Sequence, residues 1–304
     1  MKNVALFSGQ GSQYVGMLSD YYDQNDIAKK YIDDSNDILG YSLSDICFDG
    51  PAEKLKETRY TQPAIFLHSA IVFDLIKENY DFSATAGHSV GEYAAMYASG
   101  VISFKDALKL VSLRGELMFS AGEDRPGTMF AVIGMDDEKV IELCSDLNDD
   151  ENVVVPANFN SPGQIVISGS RDYLRENSKV FKENGARMVM ELPVSGAFHS
   201  PLLDSAKNEL GNAIDNIEFK KAIIPIYNNI DAKKESNPKQ LKQKLIDQLT
   251  SPVLWTQTLN KLNEDGYAKF VELGPGKVLQ GLVKRTLKGV EIDGFDKYED
   301  VQNI

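Results

Sequence analysis

The chain has 304 residues, 42% hydrophobic and 25% charged, so it can bury a sizeable core as one large domain or two modest ones. Its 45 acidic residues against 32 basic ones leave a net charge of −13, which argues against nucleic acid and anionic membrane as partners unless basic residues cluster locally. It contains no uninterrupted apolar run of the ~18 residues a membrane span needs.

In chain order, "VALFS" (4–8) is a short apolar strand running into the turn "GQGSQ". The N-terminus lacks a long apolar region and so is not expected to be a signal peptide. Residues 14–57 predict several short helices, broken at "LGYS" and "FDGP". "TQPAIFLHSAIVFDLIKEN" (61–79) is apolar on nearly every face and predicts a central buried helix, with Pro63 near its start. "SATAGHSVGEYAAMYASG" predicts strand, turn and helix, and 103–119 an amphipathic helix capped by Ser103 with Asp106 three residues on.

The middle of the chain changes character. Strand 127–135, helix 136–147, two strands within 152–170, helix 171–185 and strand 186–193 follow the β-α-β-β-α-β order of a ferredoxin-like unit. Residues 127–195 are therefore expected to form an inserted domain, and 1–126 with 196–304 the larger one. After the insert come a helix from Ser200, a strand at "AIIPIYN", two helices split at Pro252, a strand at "KFVELG", a helix and a last strand at "VEIDGF". Alternation of strands and helices predicts an α/β domain with a mostly parallel sheet covered on both faces.

Within the strand-turn-helix, "GHSVG" (87–91) is a G-x-S-x-G. Such a stretch either exposes a nucleophilic hydroxyl on a sharp turn or is an ordinary flexible loop. A serine nucleophile needs a base, and the chain offers His68, His88 and His199. His68 lies inside the apolar helix and reads as a core residue. His88 adjoins Ser89 and points to the other face of an extended segment. His199, in the loop "PVSGAFHSP", remains by elimination. The amide of Val90 is a natural oxyanion donor, and Gln10 in "GQGSQ" is the expected second one. Neither "GQGSQ" nor "GPGKV" has the glycine spacing of a nucleotide-binding loop. Arg114 sits in "LVSLRGELM", either paired or snorkelling, or presented as a fork for a carboxylate. Asn158 and Asn160 in "NFNSPG" fit a turn. Cys47 and Cys144 sit in apolar company and are expected to be reduced core residues of a cytoplasmic protein; no metal-ligand spacing is present.

Taken together and in order, "LFSGQGSQYVGM", "TRYTQPAIF", "GHSVGEYAA", "SLRGELM", "NFNSPGQIVISG", "VSGAFHSPLL" and "FVELGPGKVL" resemble the malonyl-CoA:acyl carrier protein transacylases of type II fatty acid synthesis, from residue 1 to about 290. The resemblance implies an α/β-hydrolase-like large domain with a ferredoxin-like insert. It implies Ser89 as the acylated nucleophile, His199 as its base, and a Gln248 carbonyl orienting the imidazole. Gln10 and Val90 match its oxyanion hole, Arg114 the residue that holds the malonyl carboxylate, and Asn158 and Asn160 a pocket segment. Phe198 resembles the pattern found where malonyl is chosen over branched extender units. Malonyl-CoA and acyl carrier protein are the implied partners, with no metal or redox cofactor. Ser8 departs from the family's usual proline and Leu254 from a common basic residue. Lys182, Arg187, Lys277, Lys284 and Arg285 are candidates for a local basic patch facing an acidic carrier. A polyketide synthase acyltransferase, a serine thioesterase or esterase, and a non-enzymatic scaffold are the alternatives.

Overall fold

The computed structural model describes residues 2–304. Strand β1 (Lys2–Phe7) leads into four short helices, α1 (Ser19–Gln24), α2 (Asp26–Leu39), α3 (Leu43–Phe48) and α4 (Ala52–Lys56), and then the long α5 (Thr58–Ile76). Next come β2 (Phe82–Gly87), α6 (Gly91–Ala98) and α7 (Phe104–Asp124). The middle segment runs β3 (Gly127–Ile133), α8 (Asp137–Leu147), β4 (Val154–Ser161), β5 (Gln164–Ser170), α9 (Arg171–Asn177), α10 (Lys179–Glu183) and β6 (Met188–Glu191). The remainder is α11 (Asp204–Asp215), β7 (Ile226–Tyr227), β8 (Lys234–Glu235), α12 (Pro238–Asp247), α13 (Trp255–Glu264), β9 (Tyr267–Leu273), α14 (Val278–Thr286), β10 (Glu291–Phe295) and α15 (Tyr298–Gln302).

The strands form two sheets. Six lie in the order β10-β9-β1-β2-β7-β8, parallel except at the β7–β8 edge. Four lie antiparallel in the order β4-β5-β3-β6. The apolar run of β1 follows from its place in the middle of the larger sheet. Side chains alternate across a strand: Ala5 and Phe7 pack with α5, α6 and α7, while Val4 and Leu6 pack on the other face with Trp255, Leu259, Leu279 and Leu282. Both faces are covered, so neither register is polar. Helix α5 is buried along most of its length, as its uniform hydrophobicity requires.

Several elements differ from their expected extents. The strand anticipated at 222–228 contracts to Ile226–Tyr227, because Pro225 has no N–H to give a ladder and only its carbonyl pairs, with Thr85. The helix after the insert starts at Asp204; Pro201 begins a short 3-10 turn capped by the Ser200 hydroxyl. The helix expected over 171–185 is interrupted at Ser178, and β8 and α15 carry no strong signal in the sequence. Asn158 and Asn160 lie on β4, and the turn is confined to Pro162 and Gly163. Ser103 caps α7 as expected, accepting from the Asp106 N–H, but the Asp106 carboxylate answers to the serine hydroxyl at 2.6 Å.

Backbone packs closely on backbone where α6 begins. A Cβ on Gly87 would fall 2.0 Å from the carbonyl of Gly91, and one on Gly91 would fall 2.2 Å from the carbonyl oxygen of Phe7. These two glycines let the strand-to-helix turn fold onto itself and onto the end of β1. Gly91→Ala should therefore lower stability by about 1–3 kcal/mol or more, the usual cost of overpacking, read as an earlier denaturant midpoint. Gly281→Ala on α14 is the matched control, since its Cβ would meet nothing within 4 Å. Equal midpoints for the Gly91 variant and wild type would show that the crossing can relax.

Candidate active site

Between the two glycines the backbone of Ser89 takes a φ of 52°, in the left-handed region that a non-glycine residue adopts at a cost. Its side chain therefore stands clear of the turn. Asn229 holds this geometry from the next strand over. Its Oδ1 accepts from the Ser89 N–H at 2.8 Å, and its Nδ2 donates to the Gly87 carbonyl at 2.7 Å. Asn229 lies just past β7, which pairs with β2. Among the described residues, the backbone N–H groups of Val90 and Gln10 have no protein partner. The loop carrying Gln10 is tied down through its side chain, which donates to Thr58 Oγ1 at 3.2 Å; Thr58 in turn meets Ser195 Oγ at 3.1 Å.

His199 Nε2 lies 2.8 Å from Ser89 Oγ. Its Nδ1 lies 3.0 Å from the Gln248 carbonyl oxygen and 3.1 Å from that of Ser251. Carbonyl oxygens only accept, so these contacts assign the ring proton to Nδ1 and leave the lone pair of Nε2 facing the serine. Burial, reinforced by the charge of Arg114, lowers the imidazole to about 3. The ring is therefore neutral near pH 7, and a proton placed on it is held loosely.

Arg114 completes the group. It is 1% exposed, yet no carboxylate lies within ion-pair distance among the described residues. Two carboxamides hold it instead: Nη1 donates to Gln62 Oε1 at 2.7 Å and Nη2 to Gln248 Oε1 at 3.1 Å. Nη2 also donates to Ser89 Oγ at 3.1 Å, and the guanidinium lies over the Tyr93 ring. A desolvated cation whose direct partners are neutral dipoles is a ready site for an anion. Gly115 brings it there, because α7 presses so closely on the first turn of α5 that a Cβ would sit 2.8 Å from the Thr58 carbonyl oxygen. Beneath the serine, Glu92 is fully buried; its Oε2 accepts from Gln248 Nε2 at 2.9 Å and from the Asn229 N–H at 3.0 Å. Burial pushes its carboxyl up to about 7.

These residues open into a cavity of about 150 Å³ between the two sheets, lined by Gln10, Gln62, His88, Ser89, Asn158, Asn160, Phe198 and His199 with a wall of methionine, leucine and valine. Asn160 Oδ1 meets His88 Nε2 at 2.8 Å, so that ring nitrogen is engaged by Asn160; His88 nevertheless lines the same cavity as Ser89, where the opposite face was expected. The backbone on either side of Asn158 is stitched to Val253: the Val253 N–H donates to the Ala157 carbonyl and the Phe159 N–H to that of Val253. A smaller space shares Gln10, His88 and Asn160 and reaches Gln164, Val278 and Leu282, so α14 borders the mouth of the site. Arg285 of that helix donates to Gln164 Oε1 at 2.7 Å, whereas Lys182 is turned onto the Arg187 carbonyl. A larger groove of about 730 Å³ between α2 and the start of α7 shares none of these residues.

Every site residue read from the sequence falls in or beside this cluster. His68 lies in the core, fully buried and lowered to about 4 by that burial. Ser8, the departure from proline, donates to Glu272 Oε1 at 3.1 Å, and Glu272 accepts from the N–H groups of Leu279 and Gln280 at the start of α14. Leu254 packs against the core of the smaller sheet. Gln62, Glu92 and Asn229 were not anticipated. Gln62 stands inside the quoted "TRYTQPAIF" and Glu92 inside "GHSVGEYAA", but no local pattern marks Asn229.

Comparison with known proteins places these features in a family. The acyl transferase domain model matches residues 4–301. The chain is 43% identical to malonyl CoA-acyl carrier protein transacylase of Bacillus subtilis (strain 168) over 300 residues, 97% of this chain and 94% of that protein. It is 41% identical to the protein of the same name from Haemophilus influenzae over 311 residues, 100% and 99% of the two chains. Among solved structures it resembles an acyl carrier protein S-malonyltransferase from Vibrio cholerae, with a TM-score of 0.94 and 40% identity over 100% and 99% of the chains. It also resembles a malonyl-transacylase solved in complex with its type II polyketide synthase acyl carrier protein, with a TM-score of 0.95 and 35% identity over 100% and 98%.

Asn229→Ala would strip partners from the Ser89 N–H, the Gly87 carbonyl and the Gln248 amide at once. Each buried group left unpaired costs about 1–3 kcal/mol, so the variant should lose at least ~2 kcal/mol in denaturant titration. A smaller loss would mean that water replaces the carboxamide.

Proposed function

The chain belongs to the acyl transferase domain family, and we propose from that premise that it moves a malonyl group from malonyl-CoA to the phosphopantetheine thiol of acyl carrier protein through a malonyl-serine ester. The observation that carries the choice of malonyl is the buried guanidinium of Arg114, without a carboxylate partner and 3.1 Å from Ser89 Oγ. A cation so placed binds the free carboxylate of a malonyl group through two parallel hydrogen bonds.

The chemistry runs in two halves. Ser89 Oγ attacks the thioester carbonyl as His199 Nε2 takes its proton. The carbonyls of Gln248 and Ser251 hold the imidazole, in place of the acid of a triad. The oxyanion forms facing the free N–H groups of Gln10 and Val90. Collapse expels coenzyme A, whose sulfur takes the proton from His199, and leaves the ester. The phosphopantetheine thiol then attacks, giving its proton to His199, and Ser89 is regenerated. Burial keeps His199 neutral and so able to accept a proton, and the imidazolium readily returns it to a leaving group. No step of this scheme calls on a metal or redox cofactor. Asn158 and Phe198 line the cavity, and we assign them to the wall around the acyl group. Asn160 acts there by fixing His88.

We read the architecture as an α/β-hydrolase-like domain, 1–126 and 196–304, carrying a ferredoxin-like insert, 127–195. The β-α-β-β-α-β order and the strand order β4-β5-β3-β6 support that reading. Among the described residues no helix is long and apolar enough to cross a membrane. We place the protein in the cytoplasm, where its two buried cysteines, Cys47 and Cys144, stay reduced. A polyketide synthase carrier is the second reading, favoured by the likeness to a malonyl-transacylase solved with such a carrier. For either, α14 with Lys277, Lys284 and Arg285 at the mouth of the site is the basic face we assign to docking.

Intact-mass measurement tests the scheme. Mixing with malonyl-CoA should add one malonyl group, mapped to Ser89, and a holo-carrier protein should remove it; Ser89→Ala should gain none. Free malonate without carrier loading would instead identify a thioesterase. Loading of fatty-acid against polyketide carriers separates the two carrier readings.

Arg114→Ala should lower the malonyl-to-acetyl ratio of kcat/KM by ~30-fold or more, the low end of the ~2–5 kcal/mol cost of breaking a desolvated charge pair. Arg114→Lys should recover part of that ratio, since it restores the charge without the fork. A ratio unchanged in a folded Arg114→Ala variant would make the arginine structural.

A further inference from the structure

Glu92 is a buried acid that the transfer scheme leaves idle. It sits one turn past Ser89 on α6, with no solvent exposure. Its Oε2 accepts two hydrogen bonds, from Gln248 Nε2 and the Asn229 N–H, while its Oε1 has no partner. The other end of the same Gln248 carboxamide accepts from Arg114 Nη2 at 3.1 Å. One amide thus joins a buried carboxylate to a buried guanidinium, donor end to the anion and acceptor end to the cation. Lys244 on α12 also acts on Glu92 through its charge, but its ammonium is engaged by Asp231 at 3.0 Å and Glu235 at 3.7 Å. Tyr93, adjacent on α6, and His199, across Gln248, are neutral near pH 7, the phenol because burial pushes it up to about 12.

The charge count changes when substrate arrives. In the free site one cation faces one anion across an amide. A malonyl carboxylate on Arg114 makes that one cation and two anions, in a place where water cannot screen them. The existing carboxylate holds its charge with donors on one oxygen only. We propose that Glu92 is the resident counter-ion of Arg114 in the empty enzyme and that it takes up a proton from solvent when a malonyl group occupies the site. It touches no reacting atom and acts through Gln248, as a positioning residue. The inference rests on the malonyl-transfer reading above. In full, the Ser89 hydroxyl and malonyl-CoA give the malonyl ester and coenzyme A thiol, with no net proton. Separately, the Glu92 carboxylate and one solvent proton give the neutral acid.

Two properties follow. Acetyl carries no carboxylate, so acetyl loading leaves Glu92 ionised and takes up nothing. Malonyl loading binds a proton, so raising the pH opposes it. Burial already holds the free-enzyme carboxyl at about 7. Above that point the malonyl-to-acetyl loading equilibrium should fall by up to about tenfold per pH unit, until the higher value of the loaded enzyme is reached.

The test counts protons and acyl groups together. Full-length enzyme is mixed with malonyl-CoA or acetyl-CoA at about pH 8, where the free carboxylate is ionised. Proton uptake is read from calorimetry in buffers of different ionisation enthalpy, and acyl groups from intact mass. The expected result is uptake approaching one proton per malonyl group, none per acetyl group, and none per malonyl group in Glu92→Gln. Infrared difference spectra of wild-type enzyme carrying 13C-labelled glutamate give a second measurement, so a variant that fails to fold does not end the test. A protonated glutamic acid band should grow on malonyl loading alone. Malonylation with neither uptake nor band overturns the inference and leaves the transfer reading standing, as does uptake undiminished in Glu92→Gln. Absence of any malonyl ester overturns the transfer reading, and the inference with it.

Discussion

The crossing of the α6 N-terminus over the end of β1 constrains everything else in the site. Backbone approaches backbone with no room for a methyl group at Gly87 or Gly91. That contact forces the turn between them and so the left-handed backbone of Ser89. Asn229, bonded to both arms of the turn, resists its relaxation. Strain of this kind persists only where the surroundings over-determine it. The hydroxyl is consequently delivered to one point, where an imidazole and a guanidinium meet it from different elements.

Around that point the protein uses amides where charges might be expected. Carbonyls orient His199, and carboxamides hold Arg114. A carboxylate in direct contact with either would raise the proton affinity of the imidazole or satisfy the guanidinium in advance. Neutral dipoles orient both groups while leaving the imidazole neutral and the guanidinium without a direct ion pair. Gln248 serves twice, its main chain on the imidazole and its side chain on the guanidinium, so the two groups share a single residue.

The fold was legible in the sequence where burial left a local mark. The apolar run at Val4–Phe7 marked a strand, the alternation of strands and helices a sheet covered on both faces, and the apolar α5 a central helix. Ser89 was marked by its flanking glycines, and His199 could be found because the other histidines were unsuited. Asn229 could not be found in this way. Its partner lies 140 positions away, and the two meet because β7 lies beside β2, an adjacency that no local pattern encodes. Gln62 and Glu92 belonged to quoted motifs, yet their roles depend on what faces them from α7 and the 248–251 turn. The asparagines of "NFNSPG" misled in the opposite direction. Their turn preference was real but local, and pairing with β5 and Val253 outweighed it.

Ser89 precedes the insert, His199 follows it, and the two stand 110 positions apart. The serine is thus synthesised well before the imidazole that meets it, and before Asn229, which holds its backbone. A chain cut off at the end of the inserted sheet lacks the imidazole, the carbonyls that orient it and the carboxamide that fixes the Ser89 turn. The inserted sheet is therefore a spacer in time as well as in space: the cluster can be assembled only from chain made on both sides of it.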